Sequence, residues 1–266
     1  MTPAATIVVT THNRQELLRN AINSAKQQTI PVEIIVMDDN SIDGTSAMMK
    51  TNFPDISYHR SSGGRGPCFH RNSGIAMARS EIVFALDDDS ILQSPRTVEQ
   101  TLPEFDDPRV GAVAIPFVNV LQTAQIVSRA PSETGIYVTA AFVAASHAVR
   151  KNAFLEAGGY RELFFYMGEE GDFCIRMLQM GLVVRLGRAD PIHHYQPRGR
   201  VSFPADFYGR RNDILFLTYN APAKYLLPFL LGTTINGLSF GVREGRLGTM
   251  AKGLLRGYMK IGRAHV

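Results

Sequence analysis

Ile82-Val83-Phe84-Ala85-Leu86 runs directly into Asp87-Asp88-Asp89. The apolar run is short and rich in β-branched and aromatic residues, and it reads as a buried strand. Three carboxylates at a strand end repel one another unless a cation joins them. Carboxylate oxygens are the ligands that Mg²⁺ and Mn²⁺ prefer. In open α/β sheets, ligands bind just outside the carboxyl ends of the strands. The triplet therefore points to a metal–phosphate site. The other reading is an acidic turn, with Ser90 or Ser94 capping the helix that follows.

Outward from that strand, the first half of the chain alternates strand and helix. Residues 6–10, 33–37, 56–59 and 110–116 read as strands. Residues 14–28 read as a helix with Leu17, Leu18, Ala21, Ile22 and Ala25 on one face and Asn13 as its cap, and 72–79 reads as another. This alternation predicts an α/β fold, with a mostly parallel sheet and helices on both faces. Residues 119–139 are less regular and predict an antiparallel insertion. Residues 148–157 and 172–180 read as helices, and 182–186 as a late strand. Beyond Pro204 the pattern is helical with interrupting glycines, which divides the chain into residues 1–203 and a helical C-terminal region, 204–266.

The 266 residues are 45% hydrophobic and 20% charged, an ordinary globular composition, and a formal charge of +4 gives no ground for a nucleic-acid partner. The charge is unevenly placed. From Arg198 onward, Arg200, Arg210, Arg211, Lys224, Arg243, Arg246, Lys252, Arg256, Lys260 and Arg263 outnumber Asp206, Asp213 and Glu244. A basic, apolar-rich C-terminal third fits an anionic membrane surface. The apolar stretch 225–240 holds Pro228, two threonines, Asn236 and Ser239, and it reads as too short and too polar to span a bilayer. Cys68 and Cys174 have no metal-type spacing and read as reduced. A strand begins almost at once, so no signal peptide is expected. These features predict a cytoplasmic enzyme, peripheral at the inner face of the cell membrane. The last six residues, 261–266, match one reading frame of a common sequencing-adapter oligonucleotide and read as foreign, with truncation near Lys260.

Four segments occur in a telling order: TIVVTTHNR (6–14), EIIVMDDNSIDGT (33–45), RNSGIAMARSEIVFALDDDS (71–90) and GEEGDFCIR (168–176). Together they resemble the family 2 glycosyltransferases, nucleotide-sugar-dependent inverting enzymes of the GT-A fold. The resemblance covers roughly residues 6–194. It implies transfer of a hexosyl or deoxyhexosyl group from a nucleotide-diphosphate-sugar donor to a hydroxyl of a glycan or lipid-linked acceptor, in cell-surface polysaccharide synthesis. It places the nucleoside against Thr10, His12 and Arg14 of the first strand's end and Asp38 and Asp39 of the second, with Asp39 nearer the base. The bare sequence also allows a plain polar turn at 38–44. Arg71 and Asn72 would face the donor. Gly63-Gly64-Arg65-Gly66 would offer backbone N–H groups to phosphate or serve as a flexible connector.

In the triplet, the resemblance gives the ribose to Asp87, with Asp88 beside it, and the divalent metal, Mn²⁺ or Mg²⁺, to Asp89. A histidine after the late strand would complete the metal shell. His193 is the expected ligand of the pair His193-His194, although a surface histidine pair would read the same. In the acidic cluster the family usually carries Asp where this chain has Glu169-Glu170. The general base would be Glu169, with Glu170 second, and Asp172 would cap the helix or orient the acceptor. Residues 208–213 carry an Arg-Asn pair that would bind a diphosphate or lipid headgroup, or else form a solvated helix face. A sugar nucleotidyltransferase would need a Gly-rich basic loop after the first strand, and Thr10-Thr11-His12-Asn13-Arg14 has no glycine. A catalytically silent nucleotide-sugar-binding protein is the remaining alternative.

Overall fold

The computed structural model describes residues 3–197 and 203–261. Arg198, Arg200 and Arg263 of the basic series, and residues 262–266 of the terminal stretch, lie outside the described residues. In chain order the elements are β1 (Ala5–Thr11), α1 (Gln15–Lys26), β2 (Val32–Asp38), α2 (Thr45–Asn52), β3 (Ser57–Arg60), α3 (Gly66–Met77), β4 (Ile82–Asp87), β5 (Ser90–Leu92), α4 (Thr97–Thr101), β6 (Val110–Ala114), β7 (Phe117–Asn119), β8 (Ile126–Val127), β9 (Val138–Thr139), β10 (His147–Arg150), α5 (Lys151–Glu156), α6 (Glu169–Gln179), β11 (Val183–Leu186) and β12 (Ile192–His194). Three helices follow: α7 (Phe203–Asn220), α8 (Ala223–Arg243) and α9 (Leu247–Tyr258).

The large sheet has the order β3-β2-β1-β4-β10-β6-β11-β9. Strands β1 to β4 are mutually parallel, β10 runs antiparallel between β4 and β6, and β9 is an antiparallel edge on β11. The chain builds outward from β1 through β2 to β3, then returns to place β4 on the other side of β1. That reversal opens a crevice at the carboxyl ends of β1 and β4, where the register pairs Thr10 with Asp87. Side chains alternate across the strands, so Ile7, Val9, Phe84 and Leu86 pack under α1 while Val8, Ile35 and Val83 pack under α3 and α6. Gly74 lets α3 approach closely, since a Cβ there would lie 2.4 Å from Val8 Cγ1.

Three expectations need correction. Residues 147–150 form a strand, with the helix confined to Lys151–Glu156, because Ala148 and Val149 fill the buried slot between β4 and β6. Helix α3 begins at Gly66, not Asn72. Pro67 suits the first helical turn, and the Asp39 carboxylate accepts the Arg65 and Gly66 N–H groups. Helix α8 extends past 225–240 to 21 residues, long and apolar enough by length and composition to cross a membrane. The irregular segment after β6 does form antiparallel structure. β7 pairs with β8 in a second sheet of order β5-β12-β7-β8. In the C-terminal region, α9 lies directly on α7. A Cβ at Gly253 would fall 2.5 Å from the Phe207 carbonyl oxygen, and one at Gly257 2.8 Å from that of Arg211.

Candidate active site

The carboxyl ends of β1, β2 and β4 line a cavity of about 280 Å³. Thr10, His12, Arg14, Asp39, Arg71, Asp87, Asp88 and Asp89 all border it. Pro67, His70, Tyr166, His194 and Gln196 also line it.

Register decides which histidine reaches the acidic triplet. β12 pairs antiparallel with β5, with His194 opposite Ser90 and His193 opposite Ile91. Successive side chains leave opposite faces of a strand. His194 therefore meets Asp89, with Nε2 3.2 Å from Oδ1. His193 lies instead in a separate groove with Val118, Val120 and Pro191. One ligating atom each from Asp87, Asp89 and His194 lie within 4.8 Å of one another. His194 Nδ1 lies 2.7 Å from Asn119 Oδ1. The Asn119 amide thus holds the ring from behind and leaves Nε2 facing Asp89. A partner behind the ring that fixes its tautomer is the usual support of a metal-binding histidine.

The donor set passes a second test. Asp89 Oδ1 is buried and, apart from the 3.2 Å contact with His194 Nε2, has no hydrogen-bond partner among the described residues. Arg71 Nε, His70 Nδ1 and Glu169 Oε2 around this site are also buried without a hydrogen-bond partner among the described residues. Buried polar groups are rarely left so without a functional reason. Two carboxylates and an imidazole suit Mn²⁺, and Mg²⁺ less well.

The other carboxylates are tied in place. Thr11 Oγ1 donates to Asp88 Oδ2 at 2.8 Å, and Arg14 Nη1 bridges Asp88 Oδ1 at 3.0 Å and Asp89 Oδ2 at 2.9 Å. Burial pushes Asp88 up to about 6; Arg14 opposes the rise and the charge of Asp89 adds to it. Burial works to raise Asp89 as well, but His194 and Arg14 outweigh it and hold that carboxyl below its ordinary value. Arg71, 4% exposed, spans two elements. Nη2 lies 2.5 Å from Asp87 and Nη1 2.9 Å from Glu169 at the start of α6. Burial pushes Glu169 up to about 7, helped by the charge of Glu170 and opposed by Arg71. Glu170 is less enclosed, and its Oε1 accepts the Ala144 N–H at 3.2 Å.

Some expected donor contacts are engaged elsewhere. Asp38 is fully buried and accepts Ser41 N–H, Ser41 Oγ and the Tyr58 hydroxyl, so it does not line the cavity. Asp39 does line it, yet accepts from Arg65 N, Gly66 N and His70 Nε2. The Arg65 and Gly66 N–H groups are thereby engaged. Asn72 holds both backbone groups of Tyr160 and does not reach the cavity. Asp172 is buried between Arg161 and Arg176.

The Arg-Asn pair of α7 binds backbone instead of an anion or solvent. Arg211 donates to the carbonyls of Leu163 and Phe164, and Asn212 Nδ2 to those of Phe164, Tyr166 and Met167. That loop needs holding, because Phe165 (φ 62°) and Met167 (φ 76°) carry positive φ, which L side chains rarely adopt. It places Tyr166 at the cavity and leads into Glu169.

A strand-end acidic triplet with a histidine against it, on a sheet whose order reverses beside it, defines an α/β protein with a ligand crevice at its strand ends. The profile described as Glycosyl transferase family 2 matches residues 6–156, more than half of the chain, and the chain belongs to that family. It is 27% identical over 291 residues to the pre-mycofactocin glycosyltransferase of Mycobacterium tuberculosis, covering 97% of this chain and 57% of that protein. Over 97 residues it is 39% identical to the GalNAc(5)-diNAcBac-PP-undecaprenol beta-1,3-glucosyltransferase of Campylobacter jejuni, covering 35% of this chain and 31% of the relative. The chain thus spans at most 57% of the length of these two relatives. Among solved structures, the mannosyltransferase PcManGT of Pyrobaculum calidifontis, in complex with GDP-Man and Mn²⁺, superposes with a TM-score of 0.65. It shares 18% identity over 98% of this chain and 87% of its own, and it supports the GT-A fold.

Proposed function

We propose that this chain transfers a sugar, with inversion, from a nucleotide-diphosphate-sugar donor to a hydroxyl of a glycan or lipid-linked acceptor, in the synthesis of a cell-surface polysaccharide. The observation that carries the reading is the Asp87–Asp89–His194 cluster, with an Asp89 oxygen buried against His194. Held there, Mn²⁺ or Mg²⁺ would act as a Lewis acid on the charge that develops on the leaving nucleoside diphosphate. Thr10, His12 and Asp39 border the cavity on the side of β1 and β2, where the nucleoside would lie.

The acidic pair of α6 supplies the general base. Arg71 separates it from the strand-end carboxylates, which suits a single displacement with base and leaving group on opposite sides. Glu169 is closed to solvent and holds Arg71. Glu170 is the more open carboxylate, which favours it as the base, with Glu169 in a positioning role.

A thermal-shift screen of UDP-, GDP- and dTDP-sugars with Mn²⁺ identifies the donor, because a bound ligand stabilises the fold by mass action. With that donor, Glu170→Gln should lower turnover by about 10²–10⁴-fold with donor binding kept. If only Glu169→Gln does so while remaining folded, the two roles exchange. If neither does, the base lies elsewhere.

The C-terminal helices support a further placement, at the cytoplasmic surface of a membrane. Only 11% of the most apolar window of α8 is buried, and Leu227, Phe229, Leu231 and Ile235 are exposed. Lys224, Arg243, Lys252 and Arg256 accompany that apolar surface, a pairing suited to anionic lipid.

A further inference from the structure

Arg14 stands against Asp89, one of the carboxylates that would hold the metal, and against its neighbour Asp88. Its Nη1 lies 3.0 Å from Asp88 Oδ1 and 2.9 Å from Asp89 Oδ2, with 30% of its side chain exposed. Asp87, in turn, faces Arg71. Every carboxylate at this strand end therefore already meets a guanidinium, so the site is no simple anionic trap. A cation taken up through the other oxygen of Asp89 would share that carboxylate with a positive charge. In a partly buried setting, such repulsion is poorly screened.

We infer that Arg14 keeps the bare metal site weak and makes metal affinity conditional on the donor's diphosphate. The diphosphate adds the negative charge that two neighbouring cations require. Arg14 already borders the cavity in which it would arrive. The side chain springs from the residue just before α1, outside the helical backbone conformation (φ −141°, ψ 51°). If it turns toward phosphate, Asp88 keeps the Thr11 hydroxyl as a partner. Arg14 is thus a positioning residue that couples two ligands.

The inference rests on reading Asp87, Asp89 and His194 as a metal site, and the experiment separates the two. Mn²⁺ itself is the probe, with free ion followed by electron paramagnetic resonance, alone and with UDP or GDP. In the unmodified chain, one of these nucleotides should tighten Mn²⁺ binding by about tenfold or more, or 1.4 kcal/mol per decade. The nucleotide should gain the same factor from Mn²⁺. Arg14→Gln should bind bare Mn²⁺ about tenfold more tightly and show a smaller coupling factor. Arg14→Lys, which keeps the charge, should stay near the original values. An Arg14→Gln variant that is folded by circular dichroism yet binds bare Mn²⁺ no more tightly overturns the inference and leaves the metal site standing. If neither nucleotide changes Mn²⁺ affinity in the unmodified chain, the inference also fails, whatever becomes of the variant. If Mn²⁺ does not bind under any condition, the metal site itself is refuted, and the inference with it.

Discussion

Arg71→Lys is the most searching single substitution, because it keeps the charge and removes only the fork. In the native site one guanidinium reaches Asp87 at 2.5 Å and Glu169 at 2.9 Å, with the side chain 4% exposed. An ammonium is a point donor on a flexible stem and cannot hold two separated carboxylates in this geometry. One charge-assisted hydrogen bond is therefore lost, a cost of about 1.5–3 kcal/mol. In a chain of this size each kcal/mol lowers Tm by roughly 2–4 °C, so a fall of about 3–12 °C is expected. Turnover should fall further than stability alone explains. A small displacement of Asp87 disturbs the Asp87–Asp89–His194 cluster, and misplacement of about 1 Å can cost roughly 10²-fold. Scanning calorimetry gives the first quantity, and release of nucleoside diphosphate from the preferred donor gives the second. An Arg71→Lys variant with unchanged Tm and activity within twofold would refute the view that the bridge joins the two acidic clusters.

Other outcomes follow from the same geometry. Calorimetric titration with Mn²⁺ in the presence of nucleoside diphosphate should show binding abolished in Asp89→Asn and weakened at least tenfold in His194→Ala, but unchanged within twofold in His193→Ala; the reverse order for the histidines would mean that the β12 register is misread. Burial, followed by the charge of Arg71, lowers His147 to about 3. The unfolded chain titrates near 6.5, so it binds the extra proton, and stability should fall by up to about 1.4 kcal/mol per unit as pH drops from 6.5 toward 3. Urea unfolding at pH 7, 6 and 5 should show a flatter profile for His147→Gln, and parallel profiles would exclude this source of acid sensitivity. In flotation assays the chain should bind anionic liposomes, less so at high salt, and a Phe229→Asp, Leu231→Asp variant should bind weakly; equal binding to neutral liposomes, or none, counts against the basic–apolar surface.

The parallel half of the sheet was legible because its strands are apolar runs punctuated by acidic turns, and such runs leave little choice of structure. The strand 147–150 was not. Four residues carry no usable period, and the helix at Lys151 continues the same apolar spacing. At the site, the triplet could be read locally, since three adjacent carboxylates at a strand end repel one another in any fold. The choice between His193 and His194 could not, because adjacent residues on a strand face opposite ways and only pairing with β5 fixes which one turns inward. Asn119 behind His194 left no signal, being a single amide 75 positions away. Arg211 and Asn212 misled for a different reason. A basic helix reads as a surface, and only the positive-φ loop at Phe165 and Met167 shows why its donors are needed inside.

That clamp bears on where the protein can be cut. The donors that hold the loop before Glu169 belong to α7, so a fragment ending near residue 203 would keep the whole sheet and the acidic triplet yet release the approach to the acidic pair. Stopping after α7 would keep the clamp but uncover its back, where Gly253 and Gly257 of α9 lie against its carbonyls. Grafting this C-terminal region onto a relative, or replacing it with a soluble tag, is therefore also an alteration of the loop that leads into the acidic pair. Chimeras should be joined within the turn between α7 and α8 only if the α9 surface is supplied in trans or rebuilt.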